Sequence, residues 1–60
     1  MAHAGVEEEL VVARRLVDEA RANLIRAMRE ARSAGMTYRA ISARVGLAHE
    51  TVRRMLDDAA

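Results

Sequence analysis

The apolar residues in the first half of the chain recur at steps of four and three, which is the spacing of one helix face. Neither glycine nor proline interrupts residues 6–34, so the pattern predicts one long helix over that range. Along the seam large side chains alternate with small ones, which lets two helices approach closely. The seam comprises Val6, Leu10, Ala13, Val17, Ala20, Leu24, Ala27 and Ala31, and it is widened by Val12, Leu16, Ile25 and Met28.

Such a helix is too long to be covered by its own chain. About 28 residues of helix measure roughly 42 Å, more than a single sixty-residue globule spans. We therefore expect the N-terminal half to pack against a second copy in a homodimer. The residues predicted to form that interface are Val6, Leu10, Ala13 and Val17.

The second half of the chain predicts two short helices. Gly35 marks the end of the long helix, and Thr37 is a natural N-cap for a helix over residues 38–45. Gly46 ends that helix, and a last one covers residues 49–58 with Val52, Met55 and Leu56 as its buried face. No segment reads as a strand. The prediction is one all-α domain over residues 1–60, with a long helix at 6–34 and a helix-turn-helix at 36–58.

The two short helices are predicted to cross at a steep angle through a tight turn. Such a crossing needs small side chains, which Ala40, Ser42 and Ala43 supply. The core that sets the angle is predicted to contain Ile41, Val45, Leu47, Val52 and Met55.

Composition argues against several classes of protein. The chain has sixty residues, thirteen of them Ala, one aromatic and no Cys, and a chain this short buries only about 60% of its unfolded surface. An enclosed catalytic pocket of several hundred Å³ does not fit in such a core, so we expect no enzyme, no small-molecule substrate and no cofactor. His3 and His49 are too isolated for a metal site.

The chain carries no predicted address to a membrane or secretory route. Its first five residues lack the basic segment of a signal peptide, and no run approaches eighteen apolar residues. We therefore expect a cytoplasmic protein.

Charge is distributed unevenly although the net charge is only +1. Residues 1–19 carry −3, residues 20–56 carry +6 and residues 57–60 carry −2. This distribution indicates an acidic N-terminal segment for self-association and a basic segment that carries the binding function. All ten basic residues are Arg, which suits bidentate recognition of phosphates and bases, although a coding bias toward Arg and Ala explains the same count.

Residues 36–56 resemble the helix-turn-helix of resolvase and invertase C-terminal domains and of sigma-factor region 4. The resemblance covers about a third of the chain and rests on Gly35, Thr37, Ile41-Ser42, Gly46-Leu47-Ala48 and Thr51-Val52. Two positions depart from the family's usual residues. Ser42 stands where Ala is common, and Ala48 stands where a capping Ser is common, which removes a cap worth about 1 kcal/mol.

The resemblance implies that the second motif helix enters the major groove of DNA. The base-contacting residues would be His49, Glu50, Arg53 and Arg54. Contacts to phosphates would come from Thr37, Tyr38, Arg39, Arg44 and Thr51. Simpler roles stay open for several of them: phosphate neutralisation for either Arg53 or Arg54, stabilisation of a helix start by Glu50, an ordinary surface position for His49, and packing for Tyr38 and for the methyl group of Thr51.

The function predicted from these features is sequence-specific binding of double-stranded DNA by a homodimeric transcriptional regulator, most simply a repressor, associated with the nucleoid when bound. Two alternatives remain. One is a protein-interaction adaptor of the sigma region 4 type, and the other is a DNA-organising protein with little sequence preference.

Overall fold

The computed structural model describes residues 3–58 of the chain. They form three helices, α1 (Ala4–Ser33), α2 (Tyr38–Val45) and α3 (His49–Asp58), and no strand occurs within this range. The predicted all-α fold with a long first helix is confirmed, as are the bounds of both short helices. The leader prediction depended partly on Met1 and Ala2, which lie outside the described residues.

The first helix begins two residues earlier than predicted, so Gly5 lies inside it rather than in front of it. The amide of Glu7 donates to the carbonyl of His3 at 2.8 Å, which starts the helix ahead of the glycine. A glycine in this position costs at most about 1 kcal/mol relative to Ala, which the uninterrupted helical residues after it outweigh. At the other end the helix stops at Ser33, one residue short of the predicted end.

A pair of backbone hydrogen bonds closes α1 and turns the chain toward α2. The amide of Met36 donates to Ala31 O and that of Gly35 donates to Arg32 O, each at 3.0 Å. This is the Schellman arrangement, which requires a left-handed residue just past the helix end. Gly35 supplies it with φ at +99°, and Met36 brings an apolar side chain back onto the core beside Ala31.

Both ends of α2 are defined by the residues expected to define them. Thr37 has an extended backbone, and its Oγ1 accepts from the amide of Ala40 at 3.1 Å. Gly46 has φ at +74°, and its amide donates to Ser42 O at 2.9 Å. A three-residue connection, residues 46–48, therefore joins α2 to α3.

The core is small and draws on all three helices. Its buried side chains are Met28, Ile41, Val52 and Leu56, surrounded by half-buried Leu24, Ile25, Ala31, Met36, Tyr38, Val45, Leu47 and Met55. The prediction for the helix crossing was wrong in part, because Ala40 and Ala43 are exposed and only Ser42 is half-buried. At 3.6 residues per turn, Ile41, Ser42 and Val45 share one side of α2, whereas Ala40 and Ala43 fall on the other.

The N-terminal part of α1 stands apart from this core. We call residues 4–22 the stem and residues 24–58 the trihelical unit. Every described residue ahead of Leu24 is exposed, and the molecule extends 53 Å along its longest axis. Its radius of gyration, 15.5 Å, exceeds the value of about 10 Å expected for a compact chain of this length. The stem is thus an unpacked helix.

Candidate nucleic-acid interface

Helix α3 is attached to the molecule along one side only. Val52 is fully buried and Leu56 is nearly so, and the amide of Val52 donates to Ala48 O at 3.0 Å to start the helix. Because these two inner residues are one turn apart, the remaining sides of α3 are free to carry polar groups. The helix therefore presents a continuous outer surface held in place by a few apolar contacts.

All four residues predicted to contact bases lie on that exposed surface. His49, Glu50, Arg53 and Arg54 are each exposed, on the first two turns of α3. The only pairing recorded among them joins Arg53 Nη1 to Glu50 Oε2 at 4.0 Å, with both side chains more than half exposed. A solvent-exposed ion pair of this length contributes well under 1 kcal/mol. Arg53 can therefore exchange Glu50 for another acceptor at little cost.

Charge along α3 is polarised from one end to the other. Residues 49–54 contain two Arg and one Glu, whereas Asp57 and Asp58 end the helix. Phosphates would be repelled by those two acids and attracted by the first two turns. The first turns also hold the free backbone N–H groups that favour anions. The N-terminal half of α3 is thus the half suited to a polyanion.

The residues predicted to contact phosphates do not form one group. Arg39 and Arg44 are five residues apart on α2, which places them about 140° apart around the helix axis. Arg44 borders a groove between α1 and α2. Thr51 is half-buried and borders a second groove, between α1 and α3, together with Arg54. The structure therefore separates Arg39 from Arg44, and it sets Thr51 and Arg54 beside α1.

The ring of Tyr38 packs against Arg32, a contact that was not predicted from the sequence. The guanidinium carbon of Arg32 lies 4.3 Å from the centroid of the Tyr38 ring, and Arg32 Nη1 donates to Met36 O at 2.9 Å. Cation–π contacts at exposed sites contribute roughly 0.5–1 kcal/mol. The pair clamps the α1–α2 connection. The sequence feature that could have predicted this contact is an Arg and a Tyr on either side of the glycine that ends α1.

Two open grooves flank α1. The groove between α1 and α2 has a volume of about 150 Å³ and is almost entirely apolar, with Arg44 as its charged neighbour. The groove between α1 and α3 measures about 430 Å³ and is more polar. Within residues 3–58 no group of three or more potential metal ligands comes together. Nor is any helix there both long and apolar enough to cross a membrane.

The residues predicted to form a dimer interface lie together on the stem. Val6, Leu10 and Val17 are 58%, 65% and 57% exposed, and Ala13 is exposed between them. They follow one another at helical spacing and so share one side of α1. In the single chain nothing covers this apolar stripe.

A scan against models of protein families, a search of curated proteins and a search of solved structures returned no significant match to this chain.

Proposed function

We propose that this chain is a small sequence-specific DNA-binding protein that acts as a homodimer and regulates transcription, most simply as a repressor that occupies a promoter. One observation carries the proposal. α3 is fixed by Val52 and Leu56 behind a short turn at left-handed Gly46, and its two Arg side chains are exposed, one of them at the border of the groove with α1. That is the layout a recognition helix needs to reach base edges in the major groove.

The chemistry of the exposed residues fits that role. Arg bidentate to guanine is the commonest specific contact in the major groove, and Arg53 and Arg54 are both exposed on the second turn of α3. Glu50 can accept from the amino group of cytosine. Residues 20–56, which include the stretch that resembles a helix-turn-helix (36–56), carry +6, and this charge attracts the phosphate backbone regardless of sequence.

A single unit of this size makes few base contacts, so useful affinity requires two copies bound at once. Linking two weak contacts raises the overall affinity through effective concentration. The unpacked stem offers the surface for that link. Each copy would then present one α3 to a half-site of a two-fold symmetric sequence.

The test is equilibrium binding to a duplex recovered by selection from a random pool, compared with an unselected duplex and repeated across salt concentrations. Arg53→Ala and Arg54→Ala are expected to weaken binding to the selected duplex by about 5- to 150-fold, which corresponds to about 1–3 kcal/mol for a lost base contact. Both substitutions should also reduce the difference in affinity between the selected and the unselected duplex.

Arg26→Ala is the matched control, since it removes the same charge from an exposed position on α1 that points away from Met28 by helical spacing. It is expected to weaken binding to both duplexes slightly and equally. Equal losses for all three variants would overturn the assignment of α3 as the reading helix. Tight, salt-dependent binding that does not distinguish the duplexes would instead indicate a DNA-organising protein.

A protein-interaction adaptor is the second candidate, and one observation favours it. The groove between α1 and α2 exposes apolar side chains of Leu24, Met36 and Val45 beside the charged Arg44, which is a surface that a peptide side chain could fill. An adaptor would bind DNA weakly at all salt concentrations. Absence of DNA binding even at low salt would favour this candidate.

A further inference from the structure

The chain exposes more surface than a compact protein of its mass, and the excess is about what one stable interface uses. The chain exposes 4877 Å², about 1,000 Å² more than the roughly 3,900 Å² expected for a compact monomer of 6.6 kDa. A standard protein interface takes about 800 Å² from each partner. The surplus therefore matches one partner of ordinary size lying along the stem.

The charges on the stem suit a second copy of the same chain. Three acids, Glu7, Glu8 and Glu9, begin the stem, and the Arg14–Arg15 pair follows at its centre. Arg14 is exposed, and its pairing with Asp18 at 3.0 Å lies within its own helix. The glutamates of an identical helix can therefore pair with these arginines, and its arginines can pair with these glutamates.

The apolar stripe of the stem points in the same direction as the residues that α1 gives to the core. Val6, Leu10 and Ala13 precede Leu24, Met28 and Ala31 by eighteen residues each. Eighteen residues are about five full turns of an α-helix. Since Leu24, Met28 and Ala31 pack against α2 and α3, the stripe and the trihelical unit occupy one side of α1.

Because the apolar stripe and the trihelical unit lie on the same side of α1, parallel pairing of two stems is sterically unfavourable. Paired helices lie about 8–10 Å apart. Around Met28, however, the α2–α3 layers of both copies would have to fit between the two α1 helices, which requires roughly three such spacings. Val17 and Met28 are only about 16 Å apart along the axis, and α1 is a single uninterrupted helix. A parallel pair would therefore have to splay apart as soon as it leaves the stem.

We propose that two copies of this chain pair through their stems in antiparallel orientation, with Val6 opposite Val17 and Leu10 opposite Ala13 of the second copy. This proposal rests on the homodimer of the proposed function and adds its geometry. In this register His3 of one stem comes level with Ala20 of the other, so the described part of each stem ends ahead of Leu24, where the other copy's trihelical unit begins. A register one heptad further would set Val6 against Leu24, which the core already uses.

The register also brings side chains of complementary size and of opposite charge together. Large Leu10 meets small Ala13, which is the alternation that lets layers of a helix pair interdigitate. Glu7 comes within two residues, about 3 Å along the axis, of the level of Arg14 of the second copy, on the same edge of the pair, and the two-fold axis repeats this approach. Parallel stems would instead stack Ala13 on Ala13, leaving a gap at the centre.

The antiparallel pair separates the two α3 helices by a distance close to the spacing of half-sites on DNA. The groove between α1 and α3 is bordered by Ala20, Arg21 and Leu24, so α3 lies beside that stretch of α1. In the proposed register the two α3 helices are about 30 Å apart along the stem axis at 1.5 Å per residue. Half-sites one helical turn apart are separated by about 34–36 Å.

Disulfide mapping tests the orientation, because the chain has no cysteine of its own. Full-length Val6→Cys and Val17→Cys proteins are oxidised separately and as an equimolar mixture, and the products are identified by mass. Identical positions at residue 17 lie about 17 Å apart in the antiparallel register, too far for a disulfide. Only the mixture should cross-link, and its product should join residue 6 to residue 17. Ala22→Cys, on the opposite side of α1, is the matched control.

Each result has a distinct meaning. A disulfide between residues 6 and 17, with neither single variant above the Ala22→Cys background, supports the antiparallel pair. Cross-linking of Val17→Cys to itself above that background would overturn the orientation and leave the homodimer intact. No cross-linking above background in any sample, together with a monomeric mass for the unmodified chain in solution, would overturn both. Binding of the selected duplex, measured on the same proteins, reports separately on the helix-turn-helix.

Discussion

Replacing Leu10 by Ala should weaken self-association without weakening the fold of a single chain. Leu10 is 65% exposed in the single chain, so its truncation leaves no cavity in the trihelical unit, and Ala is an equally good or better helix former. Full burial of a Leu side chain contributes about 1.5–3 kcal/mol. The exposed part therefore contributes about 1–2 kcal/mol per copy when a second stem covers it. A dimer with two such residues should lose about 2–4 kcal/mol, which raises the dissociation constant by roughly 30-fold to several-hundred-fold.

Sedimentation equilibrium over a wide range of concentrations measures that dissociation constant directly. The control is Val11→Ala, which lies next to Leu10 but about 130° around α1 from the centre of the stripe and is also exposed, and for which little change is expected. Equal effects of the two substitutions would refute the assignment of the stripe as the interface. So would a chain that stays monomeric at every concentration tested.

Four further predictions concern the local structure, and every variant is measured by urea unfolding at one protein concentration. Gly46→Ala should lower the free energy of unfolding by about 1–2 kcal/mol, because a left-handed backbone disfavours a Cβ, even though nothing lies within 4 Å of the added atom. Gly5→Ala, also unobstructed but helical, should raise it by up to about 1 kcal/mol. Thr37→Ala should cost about 1 kcal/mol through loss of the cap on α2, and Thr37→Ser should restore most of it. Arg32→Ala should cost about 0.5–1.5 kcal/mol and exceed the effect of Arg29→Ala, which removes the same charge from the same helix.

The helices were predictable because their ends depend on local chemistry. Thr37 caps α2 and Gly46 ends it for reasons confined to a few neighbouring residues, and both sites agree with the structure. The length of α1 followed from the unbroken spacing of its apolar residues. Gly5 was misplaced because a single breaker near a helix start carries little weight against the helical residues that follow it.

Contacts between helices were less predictable, since they depend on how the helices cross. Ala40 and Ala43 satisfied the expectation of small residues at the crossing, yet both face outward. Met28 was expected to widen the stripe of α1 and proves to be one of the most buried side chains of the core. The stacking of Arg32 on Tyr38 required the path of the chain through Gly35.

For the candidate site, the resemblance of residues 36–56 to a helix-turn-helix implied which side chains of α3 would lie on its outer surface. The exposure of His49, Glu50, Arg53 and Arg54 agrees with that expectation. How the arginines of α2 are distributed was not predictable from their number alone. Arg39 and Arg44 diverge around the helix axis because they are five residues apart, and only the position of α1 shows which of them borders a groove.

Selection from a pool of random duplexes, followed by sequencing of the bound fraction, decides whether this protein reads DNA sequence as a dimer. We expect enrichment of a two-fold symmetric site whose half-sites are about one helical turn apart, with the enrichment lost for Arg53→Ala or Arg54→Ala and kept for Arg26→Ala. Recovery of all sequences alike, or no recovery even at low salt, would contradict this expectation.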